Sequence, residues 1–122
     1  MYQYVITTDI KDERIFSDIS EISQDLQRLQ NDADAFVVLE VSPPVNSVNY
    51  LQVANISGTK GFFKKRDVIK GYTVEINIAE KDGGFKQYQY MTEDFEEVKG
   101  MLVGYIGHLK TPDFSAWTDV EI

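Results

Sequence analysis

Residues 72–92, YTVEINIAEKDGGFKQYQYMT, alternate on both sides of a turn. Tyr72, Val74, Ile76 and Ile78 fall on one side of the first half, and Thr73, Glu75, Asn77 and Ala79 on the other. Such a period of two marks a half-buried strand. Asp82-Gly83-Gly84 supplies the turn chemistry, so the stretch predicts an antiparallel hairpin. Its apolar row is expected in the core. Its polar row, with Gln87 and Gln89 on the returning strand, is either a site or the wet side of a sheet.

The flanking sequence places this hairpin late in a sheet. YQYVITT (2–8) alternates well enough for a first strand, and the polar turn DIKDER leads away from it. In SDISEISQDLQRLQ, Ile19, Ile22, Leu26 and Leu29 form one narrow stripe at helical spacing. Ser17 or Asp18 can cap that helix, with Glu21 completing a capping box, while Glu21, Gln24, Asp25 and Arg28 are expected in water. AFVVLEV (35–41) is nearly continuous in apolar residues, which predicts a strand covered on both faces and central in the sheet. Pro43-Pro44 ends it, and NYLQVANI (49–56) is the next strand. After the hairpin, Thr92 is expected to cap a second helix, TEDFEEVKGMLVGYIGHL, whose buried stripe is Phe95, Val98, Leu102, Tyr105, Ile106 and Leu109. Glu93, Asp94, Glu96 and Glu97 complement the positive end of its dipole, and Gly107 is placed to end it in a left-handed cap. AWTDVEI closes the chain. The order β-α-β-β-β-β-α-β predicts one α+β domain over residues 1–122, a mainly antiparallel sheet with two helices packed on one face.

Composition narrows the function. A chain of 122 residues can bury roughly two-thirds of the surface it exposes when unfolded, so it needs no disulfide or metal to fold. Apolar and charged contents of 43% and 26% are those of a soluble globular chain. With no cysteine, disulfides, thiolate metal sites and a cysteine nucleophile are excluded. MYQYVITTDIKDER lacks the layout of a secretory signal, and no apolar run is long enough to cross a bilayer, so a cytoplasmic monomer or homodimer is expected. The net charge of −8 disfavours nucleic acid and anionic membranes as partners. Residues 60–71, KGFFKKRDVIKG, hold five of the twelve basic residues and one acid, either as an irregular edge or as a loop. The other 110 residues carry seven basic and nineteen acidic groups, a balance of −12. An acidic body attracts cationic protein surfaces at long range; it also keeps a protein in solution.

The residues that commonly carry catalysis are sparse. His108, the one histidine, falls just past the second helix, where the dipole favours it, away from any nucleophile motif. One histidine and no cysteine leave no zinc site, GTKGFFKKR lacks the order of a phosphate loop, and no cofactor is expected. Glu75, Asp119 and Glu121 fit a carboxylate-lined sheet face or plain surface acids. Gly100, Gly104 and Gly107 fall opposite the second helix's buried stripe, which fits either a closely approaching partner backbone or a tolerated loss of helix propensity. Trp117 belongs to the core or its margin, and Phe62 and Phe63 in the basic segment have the look of a single-strand nucleic-acid contact, though as one short patch on an acidic protein. An alternative to a protein binder is a small-ligand or enzymatic domain whose pocket is walled by Tyr72, Tyr88, Tyr90 and Tyr105 with His108.

The run FVVLEV, NYLQVANI, YTVEINI, KQYQY and FEEVKGMLVGYI with a late tryptophan resembles the α+β members of the small bacterial immunity proteins, over about residues 35–122. These are encoded beside polymorphic or contact-dependent toxins. The resemblance implies a non-enzymatic inhibitor that binds a secreted toxin domain inside the cell, a basic nuclease suiting the acidic body. Two surfaces are the candidates for that contact: Glu75, Asn77, Gln87 and Gln89 on the hairpin, and Glu93, Asp94, Glu96 and Glu97 at the helix start.

Overall fold

The alternating segments become a seven-stranded antiparallel sheet in the computed structural model, which describes residues 2–56, 58–59, 68–69 and 71–120. In chain order the elements are β1 (Gln3–Thr8), β2 (Arg14–Phe16), a 3-10 turn (Ile19–Ile22) running into α1 (Ser23–Asn31), β3 (Phe36–Ser42) and β4 (Val48–Asn55). A two-residue ribbon of β5 (Gly58–Thr59) and β6 (Val68–Ile69) follows, then β7 (Tyr72–Ala79), β8 (Phe85–Thr92), α2 (Phe95–Gly107) and β9 (Thr118–Val120). The sheet order is β2-β1-β3-β4-β7-β8-β9. This is the expected α+β domain. β2 and the ribbon are additions: a three-residue strand is too short to show a period, and it begins at Arg14, the last residue of the expected polar turn DIKDER, and runs through Ile15 and Phe16. Apart from Val68, Ile69 and Gly71, the basic segment 60–71 with Phe62 and Phe63 lies outside the described residues, as does Glu121.

Both helices cover one side of the sheet. Val37, Leu39, Val41, Leu51, Val53, Val74 and Ile76 point to that side and bury against Leu26 and Leu29 of α1 and Val98, Leu102, Tyr105 and Ile106 of α2. The apolar hairpin row is therefore core, with Ile78 half-buried at its end. Along β8 the core closes with two stacked pairs, Tyr88 on Phe114 at 4.9 Å and Tyr90 on Trp117 at 5.4 Å, which places Trp117 at the core margin. The segment Phe36–Ser42 is interior to the sheet but is not covered on both faces, because no described helix lies on the far side: Val37, Leu39 and Val41 are buried, while Phe36, Val38 and Glu40 are half-buried.

Three local expectations are corrected by where polar groups find partners. Asp25 is not in water; it is 8% exposed and takes a 2.8 Å hydrogen bond from Arg14, which β2 carries under α1. The cap of α2 is Asp94, whose Oδ1 accepts from the Glu96 N–H at 2.9 Å, while Thr92 still belongs to β8. Finally, α2 ends through Leu109, at φ 52, rather than through a left-handed Gly107; the Gly104 carbonyl accepts the N–H groups of both His108 and Lys110. The Glu21 half of the first cap behaves as expected, accepting from the backbone of Ser17 and Asp18 at 3.0 and 2.9 Å.

Candidate functional site: the open face of the sheet

The hairpin turn sets the register that builds the candidate site. Gly83 takes φ 95, the left-handed region open to glycine, and Asp82 Oδ1 accepts from the Gly84 N–H at 3.0 Å. β7 and β8 then pair without interruption from Ala79–Phe85 to Tyr72–Thr92. That register lays Glu75 opposite Gln89 and Asn77 opposite Gln87, all four pointing away from the helices. A one-residue slip would bury these four groups in the core, so the apolar row enforces the polar one.

β4 adds two side chains. Val48 pairs with Ile78 and Tyr50 with Asn77, which leaves Asn49 as the extra residue of a β-bulge. The bulge brings Asn49 and Tyr50 to the same neighbour. Asn49 Nδ2 donates to Asn77 Oδ1 at 2.7 Å, Asn77 Nδ2 donates to Gln87 Oε1 at 3.1 Å, and the Tyr50 hydroxyl donates to that same oxygen at 2.8 Å. Gln87 Nε2 donates in turn to Glu75 Oε1. The result is one connected chain of five side chains on the open face. Asn77 within it is 5% exposed, and Glu75, Gln87 and Tyr50 are half-buried. Burial first and the nearby Glu75 charge second hold the Tyr50 phenol above its ordinary pKa, with an Asn77 hydrogen bond opposing them. Large apolar side chains flank the chain on the same face: Phe85 at 54% exposure and Met91 at 60% on β8.

The hairpin candidates thus meet: Glu75, Asn77 and Gln87 are bonded to one another, and Gln89 sits across from Glu75. Asn49 and Tyr50 were not singled out in the sequence. Their signal is the broken alternation of Val48, Leu51 and Val53, a spacing of three followed by two.

The helix-start candidates lie on the opposite side of the sheet. Glu97 accepts from the Tyr90 hydroxyl at 2.6 Å and from Thr92 Oγ1 at 2.7 Å, a grip that raises the pKa of the Tyr90 phenol. Asp94 is occupied as the helix cap, and Glu93 and Glu96 are exposed. The two surfaces are therefore separate, and two of the four helix-start acids hold the β8–α2 junction together.

Other groups singled out in the sequence are dispersed. Glu75 and Asp119 face opposite sides, since Asp119 pairs with Tyr88 and reaches Lys86 at 3.3 Å, so they do not line a common face. Tyr72 and Tyr105 are buried in the core; burial pushes the Tyr105 phenol up to about 12. His108 is exposed at the end of α2. A Cβ on Gly100 or Gly104 would meet nothing within 4 Å, so packing inside this chain does not require either glycine. They floor an open groove of about 410 Å³ bounded by Met101 and by Lys110, Thr111, Pro112 and Asp113. Among the described residues no group of three or more His, Asp or Glu side chains is placed to hold a metal ion, and no helix is long and apolar enough to cross a membrane. Compared with protein-family models, with curated proteins and with solved structures, the chain matches none.

Proposed function

We propose that this chain is a non-enzymatic protein-binding module of the immunity-protein kind, which acts in the cytoplasm by covering the working surface of a basic toxin domain. The observation that carries the reading is the open sheet face, where a hydrogen-bonded polar centre lies between exposed Phe85 and Met91. Exposed aromatic and methionine side chains beside hydrogen-bonded polar groups are features enriched at protein interfaces. The charge of −8 supports the sign of the partner, because an acidic surface accelerates encounter with a cationic one and competes for groups meant for phosphate. Tyr72 and Tyr105 lie in the core, Tyr88 and Tyr90 on β8 and His108 exposed at the end of α2, a dispersal that favours the binder over the pocket alternative.

The test is inhibition. The C-terminal domain encoded by the adjacent reading frame is expressed and assayed for nuclease activity with increasing amounts of this protein. Stoichiometric loss of activity is expected, with binding that weakens as salt rises. An adjacent frame encoding no secreted toxin, or a toxin left fully active by excess protein, would end this reading.

A further inference from the structure

The hydrogen-bond chain on the open face has a direction, and Glu75 sets it. A carboxylate only accepts, so Gln87 must turn its NH2 toward Glu75. Its oxygen then faces Tyr50 and Asn77, and an oxygen takes only donors. Tyr50 must therefore spend its one hydroxyl proton there, at 2.8 Å, and Asn77 must present Nδ2, at 3.1 Å. Asn77 Oδ1 is left facing Asn49, whose Nδ2 supplies the 2.7 Å bond. One charge thereby orients three side-chain amides and a phenol.

At the Glu75–Tyr50 end unused acceptor capacity remains, beside the second N–H of Gln87 and the neighbouring Gln52 and Gln89. Tyr50 has no second proton to offer, and Glu75 has lone pairs beyond the one that Gln87 uses. None of the ion pairs among the described residues involves Glu75, so its charge is uncompensated there. We infer that this end of the network is a seat for a guanidinium group, an arginine side chain of the bound protein, with Glu75 as counter-ion and the Tyr50 oxygen as second acceptor. The protein source of that arginine rests on the reading under Proposed function. Guanidinium suits the seat better than ammonium because its planar fork can serve two acceptors at once, whereas lysine brings a point charge. Phe85 and Met91 give the surface carrying the arginine an apolar bed.

The test uses the isotope-labelled protein titrated with hexa-arginine and, separately, hexa-lysine, following the side-chain amide signals of Gln87, Asn77 and Asn49 by NMR. Hexa-arginine is expected to shift these signals saturably and hexa-lysine to act more weakly. Glu75→Gln should weaken the arginine response about tenfold, the loss of one charge-assisted hydrogen bond. Tyr50→Phe should weaken it less, and Glu96→Gln, at the exposed helix start, should leave it unchanged. Equal responses to the two peptides, shifts centred on Glu93 and Glu96, or an undiminished response in Glu75→Gln would each overturn the seat. If a toxin domain is bound and inhibited equally by Glu75→Gln, the seat fails and the protein-binding reading stands. If arginine binds at Glu75 while the adjacent-frame domain is neither bound nor inhibited, the seat stands and that reading fails.

Discussion

Gln87 bonds diagonally across the hairpin to Glu75, while its own cross-strand partner, Asn77, bonds to the same side chain from the other end. Diagonal neighbours on a sheet face lie within reach of long side chains. Glu75 and Asn77, two residues apart on β7, are thereby locked into one unit by a single glutamine on β8.

Asn77→Ala tests that unit as structure. Asn77 is almost fully buried, and its removal leaves Asn49 and Gln87 each short of a partner. A destabilisation of about 2 kcal/mol in urea unfolding is expected. A loss below about 0.5 kcal/mol would show that water replaces the amide freely and that the network is not preorganised.

The groove side of α2 yields a prediction of opposite sign. Gly100 and Gly104 have helical backbone and open space where a Cβ would go. Gly100→Ala and Gly104→Ala should each stabilise the protein by about 1 kcal/mol. If the double variant is more stable yet binds its partner less tightly, the glycines serve close approach of a partner backbone; unchanged binding means the helix merely tolerates them.

Arg14 and Asp25 form a pair at 2.8 Å, with Asp25 nearly buried and Arg14 about a third exposed at its side chain. Asp25→Ala should cost about 2 kcal/mol, since it strands a partly buried guanidinium. Joint replacement, Arg14→Met with Asp25→Leu, should recover most of that loss in thermal unfolding. Recovery would identify the cost as the orphaned charge rather than lost packing around α1.

Acid stability has an identifiable contributor in Asp9. Its carboxylate takes two hydrogen bonds from Arg28, at 3.1 and 2.9 Å, and these hold its pKa below the ordinary 3.8. A pKa lower in the folded state means the unfolded chain binds the proton more readily, so stability rises with pH through this range. The advantage of the wild type over Asp9→Asn should be full above about pH 5 and fade below about pH 4. Urea midpoints across this range measure it; a difference that stays constant down to about pH 2 would place the contribution elsewhere.

Burial of Tyr105 supplies a further check. Its side chain is fully buried, and its hydroxyl meets no partner at hydrogen-bonding geometry among the described groups, although the Val41 backbone lies close enough to oppose the upward shift of its pKa. An unsatisfied buried hydroxyl is a cost, so Tyr105→Phe should leave stability unchanged or raise it by up to about 1 kcal/mol. A loss larger than about 1 kcal/mol would reveal a partner for that hydroxyl.

Much of this architecture is legible in residue spacing because burial on one face imposes a period. The row Tyr72, Val74, Ile76 and the stripe Val98, Leu102, Tyr105, Ile106 are both core. Glu75, Asn77 and Gln87 were visible as a polar face for the same reason, since the apolar row fixes their direction. Three kinds of feature were not legible. β2 escapes because three residues carry no period, and Asp25 because its partner, Arg14, is eleven residues away. Asn49 and Tyr50 escape because a bulge shifts register by one residue, leaving only a slip in apolar spacing. The separation of the hairpin from the helix-start acids is a tertiary fact: Thr92 and Glu93 are adjacent in sequence but belong to a strand and to the turn leaving it.

The direct measurement is hydrogen exchange on this protein with and without the domain encoded by the adjacent reading frame, the proposed partner. Added protection is expected on β4, β7 and β8 around Tyr50, Glu75 and Gln87, with α1 unchanged. Protection confined to α1 or to the groove beside Gly100 and Gly104, with the open face unaltered, would contradict the proposed interface.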